Sequence, residues 1–227
     1  MRKYEVVHLN RAGDITDFSR IAPAVPAFED AFAALARGAI LPTENGPVAV
    51  EDLLPGDRIR TVDHGFQTLV WRGSCALVPH ATGQSRAMGH LTRIAAETFG
   101  PARPAADLVL GPSARLFHRA DGIKVLTGDP GAFIPARDFY DGVSVVELTP
   151  MTAVQVYHLG FKEQQMVTAN GVEIESYHPG PAPMLGLKGD MLALFLSLFP
   201  QVRELSDFGA PAYARLRLSD LDLFNAA

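Results

Sequence analysis

Between Ala39 and Ser176 the apolar residues of this chain come in short runs, each ended by a turn. Val48 and Val50 alternate with Ala49, and the turn in LLPGDRI leads into a further strand. IRTV and TLVW flank DHGFQ, in which Asp63-His64-Gly65 is a turn tripeptide. Residues 108–110, 116–119, 124–126, 143–148, 154–159 and 165–168 read as more short strands, the last closed by Ala169-Asn170-Gly171. Runs this short cannot build long amphipathic helices, so the pattern predicts a mainly β domain. Within the looser stretch 76–103, LTRIAAETF is expected to hold a helical turn.

The flanks read differently. YEVVHL and DITDF on either side of NRAG predict a β-hairpin over residues 4–18. Phe28, Phe32 and Leu35 follow at helical spacing, which predicts a short helix or turn entering the core. After Ser176, HPGPAPMLG reads as a linker, and GDMLALFLSLF as a strongly apolar helix with Asp190 near its start. With so few polar positions, the stretch from Met191 to Phe199 is expected to cover an open face of the β domain; a homo-oligomer formed through it is the alternative. The closing residues AYARLRLSDLDLFNAA are expected to lie as a surface tail. The division is thus residues 1–30 as hairpin and lead-in, 31–178 as β domain, and 179–227 as linker, helix and tail. A weak internal repeat crosses the β domain: in VEDLLPGDRI and ARDFYDGVSV, Asp52 matches Asp138, Leu53 matches Phe139, Gly56 matches Gly142 and Ile59 matches Val145. It implies two related halves.

Composition excludes several functions. The net charge is −5 and no basic stripe exists to neutralise phosphates, which argues against nucleic acid as partner. Cys75 is the only cysteine, so an intramolecular disulfide and a Cys-based zinc site are out. The first residues lack the apolar run of a secretory signal, and the nine residues from Met191 to Phe199 are about half of a membrane span, so a cytoplasmic protein is expected. The histidines (His8, His64, His80, His90, His118, His158 and His178) have no tight metal-ligand spacing; His178 with Glu173 and Glu175 is the loosest of candidates, and a solvated loop is the favoured reading. GPSARLF and GDPGAF lack the spacing and the Lys of a nucleotide loop, and no Gly-x-Ser-x-Gly elbow occurs. No cofactor or metal is expected. Cys75 reads as a small buried hydrophobe and His158 as a packed residue on a strand.

One stretch is more specific. GAILPTENGPVAVEDLLPGDRIRTVDHG with the following TLVWRG, then IPARDF, then VYHL with VTANGVEIES, resemble in order and spacing the Hint (hedgehog/intein) family, in particular its bacterial members outside true inteins. The resemblance covers roughly residues 34–176. It implies an all-β, pseudo-two-fold horseshoe of two related halves. It also implies self-processing, for which members carry a Cys or Ser four residues before the Gly of the opening motif, a nucleophile that attacks the preceding carbonyl.

Here the positions for that chemistry are changed. The place four before Gly38 is Ala34, with Ala33 beside it. The family's Ser/Thr and His, which orient and protonate the scissile bond, fall in LVLGPSARLFHR on Gly111 and Ala114, while Pro112 and Arg115 remain. The later family His, six residues past His158, is Gln164, and the chain runs on into ESYHPG without a terminal His-Asn pair. Thr61-Val62-Asp63-His64 spells the acid motif by accident within a turn. The expectation is a Hint-like scaffold without catalytic residues, serving as a binding or structural module. Two alternatives stand beside it. One is self-processing by non-standard groups, such as a water activated by His64 or His118; the other is a small-ligand pocket formed by the loops from Val78 to Gly111.

Overall fold

The computed structural model describes residues 1–221. The chain opens with β1 (Arg2–Leu9) and β2 (Ile15–Ala22), followed by α1 (Pro26–Glu29), β3 (Leu35–Ala36), β4 (Ile40–Thr43), β5 (Gly46–Ala49), β6 (Arg58–Arg60), β7 (Phe66–Thr68) and β8 (Trp71–Leu77). Then come β9 (Leu91–Ile94), β10 (Leu108–Leu110), β11 (Arg115–His118), α2 (Asp121–Thr127), β12 (Ala132–Pro135), β13 (Val145–Leu148) and β14 (Val154–Gly160). The hairpin β15 (Met166–Ala169) and β16 (Val172–Glu175) precedes α3 (Ala182–Leu185) and α4 (Gly189–Leu196). The molecule is mainly β, as the short runs predict.

Three antiparallel sheets share the strands. The largest has the order β13-β9-β10-β3-β14-β8-β1-β2; the others run β12-β11-β16-β15 and β5-β4-β6-β7. The opening hairpin belongs to the large sheet, because β1 pairs with β8 from Tyr4↔Cys75 to His8↔Trp71. The β15–β16 turn is the Asn170-Gly171 pair read from sequence, with φ of 48° and 88°, the left-handed pair that a tight hairpin demands.

The internal repeat has a structural counterpart. Val50 N–H donates to Ala39 O at 2.8 Å, and Ala136, its match in the repeat, donates to Ala114 O at 2.9 Å. Gly56 and Gly142 both take positive φ, and Ile59 and Val145 are both buried in the same core cluster.

Among the described residues two large apolar cores form, beside smaller clusters around Ile123 and around Phe133. One gathers aliphatic residues such as Leu41, Leu53, Ile59, Leu110, Leu116 and Ile174. The other is aromatic: Tyr4, Phe28, Phe32, Trp71, Tyr177, Phe195 and Phe199. Each such ring contributes about 1.5–3 kcal/mol on burial. Phe195, Leu198 and Phe199 are fully buried, Trp71 Nε1 donates to Leu198 O at 2.8 Å, and Tyr177 stacks on Phe199 with centroids 5.0 Å apart. The apolar helix therefore covers the face formed by Trp71 and its neighbours.

Three local expectations need correction. LTRI within LTRIAAETF is strand β9, paired on both sides by β10 and β13; its two ladders outweigh a weak helical propensity. Residues 124–126 lie in helix α2, not a strand, because Asp121 opens a turn that buries Ile123 and Gly128 ends it in the left-handed conformation. The closing segment is anchored as well as superficial: Leu221 is buried, and Phe133 brackets Arg215 in a parallel bridge. The last six residues of that segment lie outside the described residues. Among the described residues, no helix is long and apolar enough to cross a membrane.

Candidate functional site

The Ala33–Ala34 peptide lies at full burial where β3 joins the large sheet. Ala34 N–H donates to Tyr157 O at 3.0 Å, Ser113 N–H donates to Ala33 O at 3.0 Å, and Gly111 N–H donates to Ala34 O at 2.8 Å. Both polar atoms of the peptide are thus held by backbone alone. The side chain beside it is a methyl group.

Gly111 is pressed against the same peptide. A Cβ built there would stand 2.2 Å from Ala33 O and 2.7 Å from Ala33 C, well inside van der Waals contact. Any side chain at residue 111 requires the peptide to move. Ala114 is buried, donates to Gly111 O at 3.2 Å and accepts from Ala136 N–H. Upstream, Phe28, Ala31 and Phe32 belong to the aromatic core, so the segment preceding the peptide is built into the fold.

Gln164 makes no hydrogen bond to that peptide and is held by partners of its own. Its Nε2 donates to Glu175 Oε1 at 2.6 Å and to Ser176 O at 3.4 Å, while its Oε1 accepts from Ala212 N–H at 2.7 Å. Glu175, with a side chain only 2% exposed, pairs with Arg115 at 3.4 Å and Arg215 at 2.7 Å. A buried carboxylate requires such partners. Arg215 also donates to His178 O at 2.6 Å. Asp30 completes the surroundings: it stays open to solvent yet is hemmed in by protein, so desolvation pushes its carboxyl up while the Arg115, Arg137 and Arg215 charges pull it down.

His158 is buried on β14, where Nδ1–H donates to Asp30 O at 3.1 Å and the ring packs edge-on against Tyr177. Burial pushes its pKa down to about 3, so the ring stays neutral at ordinary pH. Nε2 has no hydrogen-bond partner, and neither has the buried Ser113 hydroxyl.

The other sequence candidates lie apart. His64 is in the expected turn, where Thr61 Oγ1 donates to Gly65 O and accepts from His64 N–H; its ring meets Gln165 Oε1 at 2.9 Å. His118, on β11, packs against Phe139, and burial lowers its pKa. No hydrogen bond among the described residues joins either ring to Ala33 or Ala34. Cys75 is buried, which pushes its thiol up to about 12 and suppresses the nucleophilic thiolate. His178, Glu173 and Glu175 do not converge: Glu173 pairs with Arg119 and Arg103, and His178 bonds Gly180 N–H and Gly209 O. No group of three or more metal-ligating side chains occurs among the described residues. The loops after Val78 contribute Arg86, His90 and Thr92 to a cleft of about 200 Å³ that Pro112, Arg137 and Tyr140 complete.

The sequence from residue 33 to residue 181 matches the profile of the Hint domain. The chain belongs to the Hint family. No curated protein matches it. Among solved structures it is similar to a bacterial intein-like domain from Clostridium thermocellum, with 13% identity and a TM-score of 0.42, covering 64% of this chain and 99% of that one. It is also similar to a splice-inactive variant of the AceL NrdHF class 3 split intein, with 11% identity and a TM-score of 0.43, covering 63% and 97% of the two chains. Within this Hint domain, Ala34, Gly111 and Ala114 meet around one peptide, while Gln164 belongs to the Glu175 network. Sequence reading missed Glu175 and Arg215 as members of that network. Only the preserved Arg115 gave a signal, since an arginine in a β strand needs a counter-charge.

Proposed function

We propose that this Hint domain neither cleaves nor splices itself and that it serves as a binding module. The observation that carries the reading is the Ala33–Ala34 peptide, where Ala34 supplies no heteroatom and Gly111 leaves no room for one. Acyl transfer at that bond needs an oxygen or sulfur nucleophile and a proton donor for the leaving amine. The seating of residues 28–34 in the core supports it further, since release of the upstream segment would strip Phe28 and Phe32 from the aromatic cluster.

The mass of the intact purified chain, followed over days with and without thiol or hydroxylamine, tests this. One unchanged species at 24.4 kDa is expected, from the parent chain and equally from Ala34→Cys, which restores a nucleophile without the acid. A species lacking residues 1–33 overturns the reading.

Self-processing by a non-standard group has one observation in its favour. Ser113 donates its N–H to Ala33 O, and its buried hydroxyl is unpaired. On that reading a shortened species appears in the parent and disappears in Ser113→Ala.

A further inference from the structure

Residues 212–218, AYARLRL, lie along the outer edge of β12. Phe133 N–H donates to Ala214 O at 2.9 Å, and Leu216 N–H donates to Phe133 O at 3.1 Å. The segment thereby adds a short parallel strand to the sheet β12-β11-β16-β15. Each of its larger side chains has a receiving site. Tyr213 packs on Phe117 and Phe133 at 4.6 and 5.8 Å, and its hydroxyl donates to Asp63 at 3.2 Å. Arg215 meets Glu175, and Arg217 makes a two-pronged contact with Asp138, both bonds at 2.7 Å. Leu216 and Leu218 pack against the cluster of Ile123, Ala132 and Ile134.

Backbone pairing to a sheet edge with separate sites for alternate side chains is how domains read extended peptides. The charges pair one to one: the segment carries two arginines and no acid, and these meet Glu175, which Arg115 shares, and Asp138, while Asp63 takes the Tyr213 hydroxyl and Arg119 lies over Phe117. The segment is also laid on rather than built in. None of residues 209–220 is buried, whereas Phe133, Ile134, Gln164 and Glu175 beneath it are. An exposed Gly209-Ala210-Pro211 stretch leads into it. Between the buried anchors Phe208 and Leu221, a segment with no buried residue of its own opens at lower free-energy cost than the core strands.

We propose that the edge of β12, with the carboxylates beside it, is a peptide-binding groove that residues 212–218 occupy in cis. Its ligand in trans is an extended basic segment of a partner protein, with an aromatic residue followed by arginines two and four positions on. The proposal rests on the binding-module reading and names the ligand class for it. The tethered segment competes with any free peptide at high effective concentration, so the groove of the parent chain takes up ligand weakly.

The test titrates a fluorescein-labelled peptide of residues 210–221 with the full chain, followed by anisotropy. Arg215→Ala removes the bonds to Glu175 and His178 O, Arg217→Ala removes the two-pronged contact with Asp138, and tightening of about tenfold is expected in each. Arg217→Ala changes an exposed side chain and keeps the test alive should Arg215→Ala fail to fold. Adding Asp138→Ala to Arg217→Ala should reverse the gain, and a peptide with both arginines replaced by glutamate should not bind. Folded variants that bind no tighter than the parent overturn the proposal, as does equal binding of the glutamate peptide. A dimer in light scattering that Arg215→Ala dissolves overturns the choice of partner and makes a second copy the occupant. An unprocessed chain that ignores the peptide refutes the groove alone, whereas a chain that cleaves itself refutes the reading beneath it.

Discussion

Around the Ala33–Ala34 peptide, Ala34, Gly111 and Ala114 present only methyl groups and backbone, and every polar atom of that peptide is bonded to main chain. On the other side, Gln164, Glu175, Arg115 and Arg215 form a charged and amide network that ties β11, β16 and the closing segment together. One side is closed by small residues and main chain, the other by mutually satisfying polar groups that fill the space. The first kind of closure depends on shape, the second on charge, and the two should fail under different insults.

The largest effect is expected on the charged side. Glu175→Ala leaves Arg115 and Arg215 without their shared counter-ion and removes an acceptor from Gln164. Breaking a buried pair from one side costs about 3–5 kcal/mol, and since both guanidinium groups are about a quarter exposed the lower end of that range, about 3 kcal/mol, is expected. Urea denaturation measures it. A loss below about 1 kcal/mol, the worth of an exposed pair, would mean that the network is decorative and the contrast false.

Gly111→Ser is the matching test on the shape-dependent side. The added Cβ and hydroxyl meet the Ala33 carbonyl, so backbone must shift at the cost of overpacking, about 2–3 kcal/mol. This loss should be insensitive to salt, whereas the Glu175→Ala loss should shrink as salt rises, because only the latter involves charge. Equal salt dependence of the two variants would erase the distinction.

How far the sequence shows this follows the same division. The opening motif, LVLGPSARLFHR and the stretch after VYHL are local patterns, and through the family resemblance they single out Ala34, Gly111, Ala114 and Gln164 with no knowledge of the fold. The consequence of Gly111 is invisible there, because its contact with Ala33 spans 78 positions of chain. Glu175 with Arg215 is equally hidden, since the arginine comes from a segment that reads as a plain surface tail. Residues 124–126 and LTRI were misread for a related reason: their type was decided by what they pack against or pair with, Ile123 in the core and β10 and β13 alongside.

A third prediction uses His158, which is bonded to Asp30 O and packed edge-on against Tyr177. Its folded pKa of about 3 lies below the unfolded value near 6.5. The unfolded chain therefore takes up the proton first as pH falls, and this contribution to stability, complete above about pH 6.5, drains away towards pH 3. The slope is at most ~1.4 kcal/mol per pH unit. Glu29 and Asp30, whose carboxyls are raised chiefly by burial, act with the opposite sign, the folded chain holding their protons longer. Comparison of the parent with His158→Asn, which keeps a donor for Asp30 O, isolates the histidine. Parallel stability–pH curves for the two would show that the ring gains access to solvent.

The smallest effect is expected at position 164. Gln164→His loses at least one of the amide's three bonds, to Glu175, Ser176 O and Ala212 N–H, since a neutral imidazole has only one donor and one acceptor. One net hydrogen bond is worth about 1 kcal/mol, and the loss should fall on the closing segment rather than on the domain. Hydrogen exchange would show it: the amides of Ala212 and Leu216 should speed up about fivefold, with the amide of Ala34, bonded to Tyr157, unchanged. If Ala34 quickens to the same degree, the two sides are one cooperative unit and their separate closures are a single event.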